Sequence, residues 1–250
     1  MKSIFDNTKF GSLEVSSRII RNGLWESQND SSKNLSQDVF DRYEKLSKPK
    51  VIITGIRYFE AIIDKDNSFL PAKSTVTITG DLNNLYFLLA VLNSKVIAYY
   101  IRENYYSSSM GGGINFTPDL IRSLPIPQIP TNKQLFVEYS EQMQKCNQSL
   151  LLKRCRFMQR LKDNVPNVKI NSTLETFDLF DFTKFITELK KQKIVLSLRE
   201  QDEWEDFFND YKQQCNELST QISATDREID KMVYKLYGLT DEEIAIVEGV

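Results

Sequence analysis

Pro118, Pro125, Pro127 and Pro130 crowd into thirteen residues, and no other feature constrains the fold of this chain as much. Each proline fixes φ, removes a backbone donor and pushes the preceding residue toward extended conformation. No helix can therefore run through Leu124-Pro125-Ile126-Pro127-Gln128-Ile129-Pro130, and the segment reads as a stiff, extended connection. It divides two kinds of sequence, one with short β-rich runs and one with long helical periodicity.

On the N-terminal side, Val51-Ile52-Ile53-Thr54-Gly55-Ile56-Arg57-Tyr58-Phe59, Ala61-Ile62-Ile63 and Ser74-Thr75-Val76-Thr77-Ile78-Thr79 are rich in β-formers. The last alternates polar and apolar residues, so a curved, partly exposed sheet is expected. From Leu82 to Arg102 the spacing of Leu85, Leu88, Leu89, Leu92, Val96 and Tyr99 predicts one amphipathic helix. Thr117-Pro118 is an N-cap followed by proline at the first helical position, and the helix it opens must stop before Pro125.

On the C-terminal side, Thr131-Asn132-Lys133-Gln134 has the form of a capping box. Phe136, Tyr139, Met143, Cys146, Leu150, Phe157 and Leu161 follow at spacings of three, four or seven, as in a coiled-coil seam. A second helix is expected after Ser197-Leu198-Arg199-Glu200, with Trp204, Phe208, Tyr211, Cys215, Leu218, Ile222, Ile229, Val233 and Leu236 on one stripe. The two stripes are expected to pack antiparallel. Helices of some 30 to 40 residues span roughly 45 to 60 Å, or about 13 to 18 base pairs of duplex, which is the size of a spacer. Phe177, Phe180, Phe182 and Phe185 lie in an insertion expected to cap the hairpin. Gly238 should end the second helix, and Thr240-Asp241-Glu242-Glu243 should cap a last short one. The expected fold class is thus α+β: a mixed α/β domain over residues 1–130, then a long antiparallel helical hairpin over 131–250 with the inserted cap at about 164–197.

Composition narrows function mainly by exclusion. The chain of 250 residues has no histidine, so Ser-His-Asp and Cys-His catalysis, imidazole acid–base chemistry and His-ligated metals are outside its own reach. Cys146, Cys155 and Cys215 are odd in number and make no C-x-x-C pair, the pattern of reduced packing residues. A metal-dependent nuclease needs acidic ligands beside a lysine. Pro118-Asp119 and Glu188-Leu189-Lys190 lie far apart and within helices, and read as chance. No Asp/Asn-Pro-Pro-Tyr/Phe run is present, nor a G-x-G turn for a methyl-donor cofactor. The expectation is a chain that is not an enzyme by itself. No apolar stretch approaches about 18 residues and the first residues are unlike a signal peptide, so a cytoplasmic protein with no membrane partner is expected.

Charge is nearly balanced, with 32 Lys/Arg against 34 Asp/Glu. Residues 1–130 carry 15 basic and 13 acidic side chains, and 131–250 carry 17 and 21. Between Glu141 and Asp163, however, Lys145, Lys153, Arg154, Arg156, Arg160 and Lys162 occur with no acid among them. Such a helix can lie along phosphates, which position a protein without specifying sequence. A solvated helical face is the alternative.

Taken in order, Lys48-Pro49-Lys50-Val51-Ile52, Leu89-Ala90-Val91-Leu92-Asn93-Ser94-Lys95, Gly112-Gly113-Ile114-Asn115-Phe116 and Ile121-Arg122-Ser123-Leu124-Pro125-Ile126-Pro127 carry a family resemblance. Together they resemble the TaqI-like C-terminal specificity (target recognition) domain of Type IIG restriction–modification enzymes and related adenine-specific DNA methyltransferases. Phe185–Lys191 and Asp226–Thr240 resemble the C-terminal end of the same enzymes, so the likeness spans roughly residues 45 to 250.

The resemblance implies a sequence-specific DNA recognition module that reads base edges in the major groove of double-stranded DNA. An adenine N6-methyltransferase or nuclease domain, missing from this chain, would flip and modify the target base. It implies no cofactor in this chain, with S-adenosylmethionine and Mg2+ belonging to the missing catalytic domains. A separately encoded specificity subunit, similar to those of Type I systems, fits the same pattern.

The candidate DNA-binding residues follow from these readings. Tyr105, Tyr106, Ser107, Ser108, Ser109 and Asn115 surround three glycines in a polar loop, and Asn115 suits an adenine edge. Arg57 and Arg122 suit guanine or phosphate, and Lys153, Arg154 and Arg156 suit phosphate. Structural alternatives stand beside each: a tight turn at Gly111–Gly113, an exposed strand position for Arg57, an Arg122–Asp119 helix pair, a turn cap at Asn93, and core or seam positions for Trp25 and Trp204. Two other readings of the whole also remain: a protein-interaction module acting through the hairpin, and a carboxylate-dependent nuclease.

Overall fold

The computed structural model describes residues 46–57, 59–69, 71, 75–105 and 114–249. The architecture is α+β. Its residues form two compact units, one reaching as far as Glu141 and taking in the chain again from Arg227, the other running from Gln142 to Asp226.

The first unit is built on a three-stranded antiparallel sheet. Strand β1 (Lys50–Thr54) lies between β3 (Ala61–Asp64) and β4 (Thr75–Thr79), with Val51 opposite Ile63 on one side and Ile78 on the other. Val51, Ile52, Ile53, Ala61, Ile62 and Ile63 are all buried, so β1 and β3 are covered on both faces and their unbroken apolar runs follow from that. Only β4 is half-exposed, where alternation was expected. The expected run from Val51 to Phe59 is broken at Gly55, after which β2 (Ile56–Arg57) leaves the sheet to pair with β5 (Ile114–Asn115).

The helix expected from Leu82 to Arg102 is two helices, α1 (Leu82–Leu92) and α2 (Lys95–Asn104), bent by 58°. The break has a local cause. Asn93 Nδ2 donates to the carbonyl of Leu89 at 3.1 Å, and Ser94 Oγ donates to that of Val91 at 2.7 Å, so side chains take over carbonyls near the helix end. Asn93 also grips β3, accepting from Ala61 N at 3.0 Å and donating to Ala61 O at 2.9 Å. It is therefore the structural cap that the sequence suggested. Helix α3 (Pro118–Ser123) opens on Thr117, whose Oγ1 accepts from Leu120 N, and stops before Pro125 as expected.

Two long helices, α4 (Gln134–Asn164) and α7 (Leu198–Tyr237), each pass from one unit into the other. The units therefore do not follow the division drawn at residue 130. The first turns of α4 belong to the sheet-bearing unit because Phe136 sets its ring edge-on to Phe87 at 5.1 Å and Ser140 Oγ donates to Tyr86 O at 3.1 Å. The end of α7 belongs there through Asp230, which accepts from Lys95 N at 2.9 Å, and Tyr237, whose hydroxyl donates to Pro125 O at 2.7 Å. At its start α4 departs from the expected capping box: it opens at Gln134, with Val137 N bonding the carbonyl of Lys133.

In the second unit α4 and α7 run antiparallel. Cys146 meets Gln221, Lys153 meets Gln214 and Phe157 meets Phe208, so partners move backward along α7 as α4 advances. The intervening segment forms a one-turn helix α5 (Ser172–Glu175), a 3-10 turn (Phe177–Leu179) and α6 (Phe182–Lys191). Its Phe177 and Phe185 are fully buried in an aromatic cluster centred on Phe157, which stacks on Phe177 at 3.8 Å. Trp204 edges onto Phe157 at 6.1 Å and is a seam residue, while Trp25 lies outside the described residues.

Helix α7 starts on a reciprocal cap, Ser197 N donating to Glu200 and Glu200 N to Ser197 Oγ. It ends at Gly238, φ +67°, with Leu239 N bonded to Tyr234 O and Gly238 N to Lys235 O, a Schellman arrangement. The expected capping box at Thr240 and Glu243 then opens α8 (Asp241–Glu248). No single helix among the described residues is long and apolar enough to cross a membrane.

Candidate nucleic-acid interface

Four of the candidate DNA-binding residues lie in the described elements on either side of residues 106–113. The two-stranded ladder sets Arg57 opposite Ile114 and Ile56 opposite Asn115, and Phe116 N donates to Gly55 O at 2.9 Å. Phe116 anchors the ladder, buried with its ring edge-on to Phe59 at 5.2 Å. Asn115, one residue earlier on the strand, is exposed. The period-2 geometry of a strand explains this: one neighbour goes to the core and the next to solvent.

The other end is fixed by Tyr105 at the close of α2. Its hydroxyl lies 2.5 Å from Ser123 Oγ, and because Ser123 Oγ itself donates to Leu120 O at 2.7 Å, the tyrosine is the donor. Tyr105 also sets its ring against Tyr100 at 6.3 Å. Arg122, beside Ser123, is 75% exposed and bonds Asp119 at 2.7 Å one turn back. That pair is the helix pair anticipated as the alternative. It sits in water, where such a bond contributes little and yields readily to a phosphate or a base edge. Tyr106, Ser107, Ser108 and Ser109, with Gly111–Gly113, lie outside the described residues.

Lys153, Arg154 and Arg156 lie instead in the second unit, and the fold separates their roles. Arg154 Nε and Nη2 bond the two oxygens of Asp178 at 2.8 and 2.7 Å, with Asp178 fully buried and Arg154 17% exposed. Its fork is committed inside the protein. Lys153 bonds Gln214 and lies 5.9 Å from the centre of the Tyr211 ring. Arg156 is exposed.

The motifs quoted for the family resemblance are largely those that fasten the first unit together. Lys50 Nζ meets Asp64 at 2.6 Å, fully buried, and Asp64 in turn accepts from Ser68 N at 2.8 Å and Phe69 N at 3.0 Å. Lys95 joins Glu248 at 2.8 Å, and Tyr234 donates to the same carboxylate at 3.1 Å, holding it below the usual carboxylate range. Sequence reasoning missed these pairs, of which Lys50–Asp64 is buried and Lys95–Glu248 lies at the surface. Period and motif place Lys50 and Asp64 on strands, but only their register makes them partners.

Among the described residues no group of three or more cysteines, aspartates or glutamates is arranged to hold a metal ion. Asp119 is bonded by Arg122. Glu188 is bonded by Lys191 at 2.7 Å and by Asn171 at 3.4 Å, and these bonds, the lysine's foremost, hold its carboxyl below the ordinary range.

A family model described as a domain of unknown function (DUF8810) matches residues 129–233, from the end of the proline segment through α4, the aromatic cap and most of α7. No curated protein and no solved structure matches the chain.

Proposed function

We propose that this chain is a DNA-recognition module that reads a target sequence for an adenine methyltransferase or nuclease carried by another domain or polypeptide. The observation that carries the reading is the placing of two local pairs on either side of the glycine-rich segment 106–113: Arg57 opposite Ile114 beside the exposed Asn115, and Tyr105 bonded to Ser123 beside the exposed Arg122. An asparagine amide pairs with adenine N6 and N7, and an arginine fork pairs with guanine O6 and N7 or with phosphate. Asn115 is the proposed base reader, Arg122 a base or phosphate contact after release of Asp119, and Tyr105 a hydroxyl donor. The methyl donor, any metal and the base-flipping step belong to the partner.

A salt-titrated selection of the purified chain against a randomised duplex pool tests this reading. Enrichment of a short motif is expected, with affinity falling as salt rises. Asn115→Ala should cost about 1–3 kcal/mol on the best site and relax preference at one position. Binding without enrichment, or none at low salt, overturns the module as a self-sufficient reader.

A second reading, protein docking through the helical hairpin, is favoured by one observation: the family model covers the hairpin and leaves the loop cluster outside. A chain that ignores duplex DNA and self-associates through α4 and α7 would support it.

A further inference from the structure

We infer that the outer face of α4 in the second unit, formed by Lys145, Arg156 and Arg160, is a contact for the phosphate backbone of duplex DNA that does not depend on base sequence. The inference rests on the proposed function only for the identity of the polyanion. Residues 142–162 hold six basic side chains and no acidic one, and the fold sorts them. Arg154 turns inward to Asp178, and Lys153 turns to Gln214 and Tyr211. Lys145, Arg156 and Arg160 are exposed, and among the described residues no carboxylate lies within ion-pair distance of them. At 100° per residue the three fall within an arc of roughly 60°, with Ser149 inside it and the exposed Leu152 just beyond its edge.

Arg156 and Arg160 are one turn apart, a like-charge spacing that destabilises a helix unless an anion lies between them. Along the axis, Lys145 to Arg156 covers roughly 16 Å, about five nucleotides of one DNA strand. The antiparallel neighbour is oppositely charged. Residues 198–217 hold seven acidic and two basic side chains, and Asp202, Asp206, Asp210 and Glu217 are exposed on the side of α7 away from the buried Phe208. This unit therefore presents one face that attracts a polyanion and one that repels it, which orients the ligand. A protein partner would be expected on a surface with an apolar centre depleted in lysine and acid, which the stripe lacks apart from Leu152.

The experiment uses the full chain and a 20-base-pair duplex of arbitrary sequence, with binding measured across a salt series. The variant Lys145→Gln/Arg156→Gln/Arg160→Gln should keep its melting temperature and reduce the slope of log affinity against log salt by nearly 3, about 0.9 for each lost phosphate contact. At low salt the affinity loss should be at least about ten-fold. The charge-matched control Lys169→Gln/Lys190→Gln/Lys193→Asn, on exposed positions elsewhere in the unit, should keep the parent slope.

An unchanged slope in the α4 variant overturns the inference, as does an equal fall in the control or no duplex binding by the parent. Displacement of the duplex by polyglutamate at equal charge concentration overturns the assignment to nucleic acid. Failure here is separable from failure of the reader. A parent that enriches a motif but is indifferent to the α4 variant sinks only this inference, whereas slope loss without enrichment sinks only the reader.

Discussion

At the scale of single residues, the charged groups divide into those that hold the fold and those left for solvent or a ligand. Arg154 and Asp178 make a bidentate pair at 2.7–2.8 Å around a buried carboxylate. Removing one partner leaves the other uncompensated, so Arg154→Ala should destabilise the chain by about 3–5 kcal/mol, and Arg154→Met with Asp178→Leu should recover most of that. Urea unfolding of the two variants checks it. Asn93 is the comparable neutral residue. Its side chain makes three hydrogen bonds, two of them to Ala61 on β3, so Asn93→Ala should cost on the order of 2–4 kcal/mol by leaving backbone groups unpaired. Both variants should shift the unfolding midpoint and leave the salt slope of DNA binding intact.

At the scale of elements, α7 and α8 depend on how their ends are closed. Gly238 lies at φ +67° with no atom near the position a Cβ would take, so Gly238→Ala meets backbone strain and no clash. The expected loss is about 1–2 kcal/mol, visible as a lower melting temperature. Helix α8 is fastened by Glu248, whose carboxyl is held below its ordinary range first by Lys95 and then by Tyr234. A depressed carboxyl contributes stability that is present above the unfolded value, about 4.3, and is lost as pH falls through the folded one. Amides of α8 should therefore keep their exchange protection above about pH 4.3 and lose it on further acidification, after correction for intrinsic rates. In Glu248→Gln they should be weakly protected already at pH 6 and lose little more on acidification.

At the scale of the whole molecule, burial sorts the three thiols. Cys155 is exposed, and Cys146 and Cys215 are buried. Burial pushes both buried thiols up, Cys215 to about 11 with help from the nearby charge of Asp178. A thiol reagent at pH 8 should label one cysteine in the native chain and three in denaturant, and reductant should leave the melting temperature unchanged.

Much of this fold is legible in the sequence because it is set by local forces. Proline and glycine punctuation fixed the extended connection and the ends of α3 and α7, and the three-four apolar spacing set both long helices and their antiparallel seam. The candidate loop residues were also legible as residue types. What the sequence could not supply was which side chains find each other across the chain. Arg154 and Arg156 look equivalent as a basic pair, yet a rotation of 200° along one helix sends the first to Asp178 and the second to solvent. Lys95 and Asp230 are joined only because α7 returns to the sheet-bearing unit. The break at Asn93 likewise depends on β3 lying close enough to be gripped. Periodicity and backbone stereochemistry act over a few residues and can be read in order, whereas desolvated polar groups choose partners by distance in space, and that distance exists only once the chain has folded.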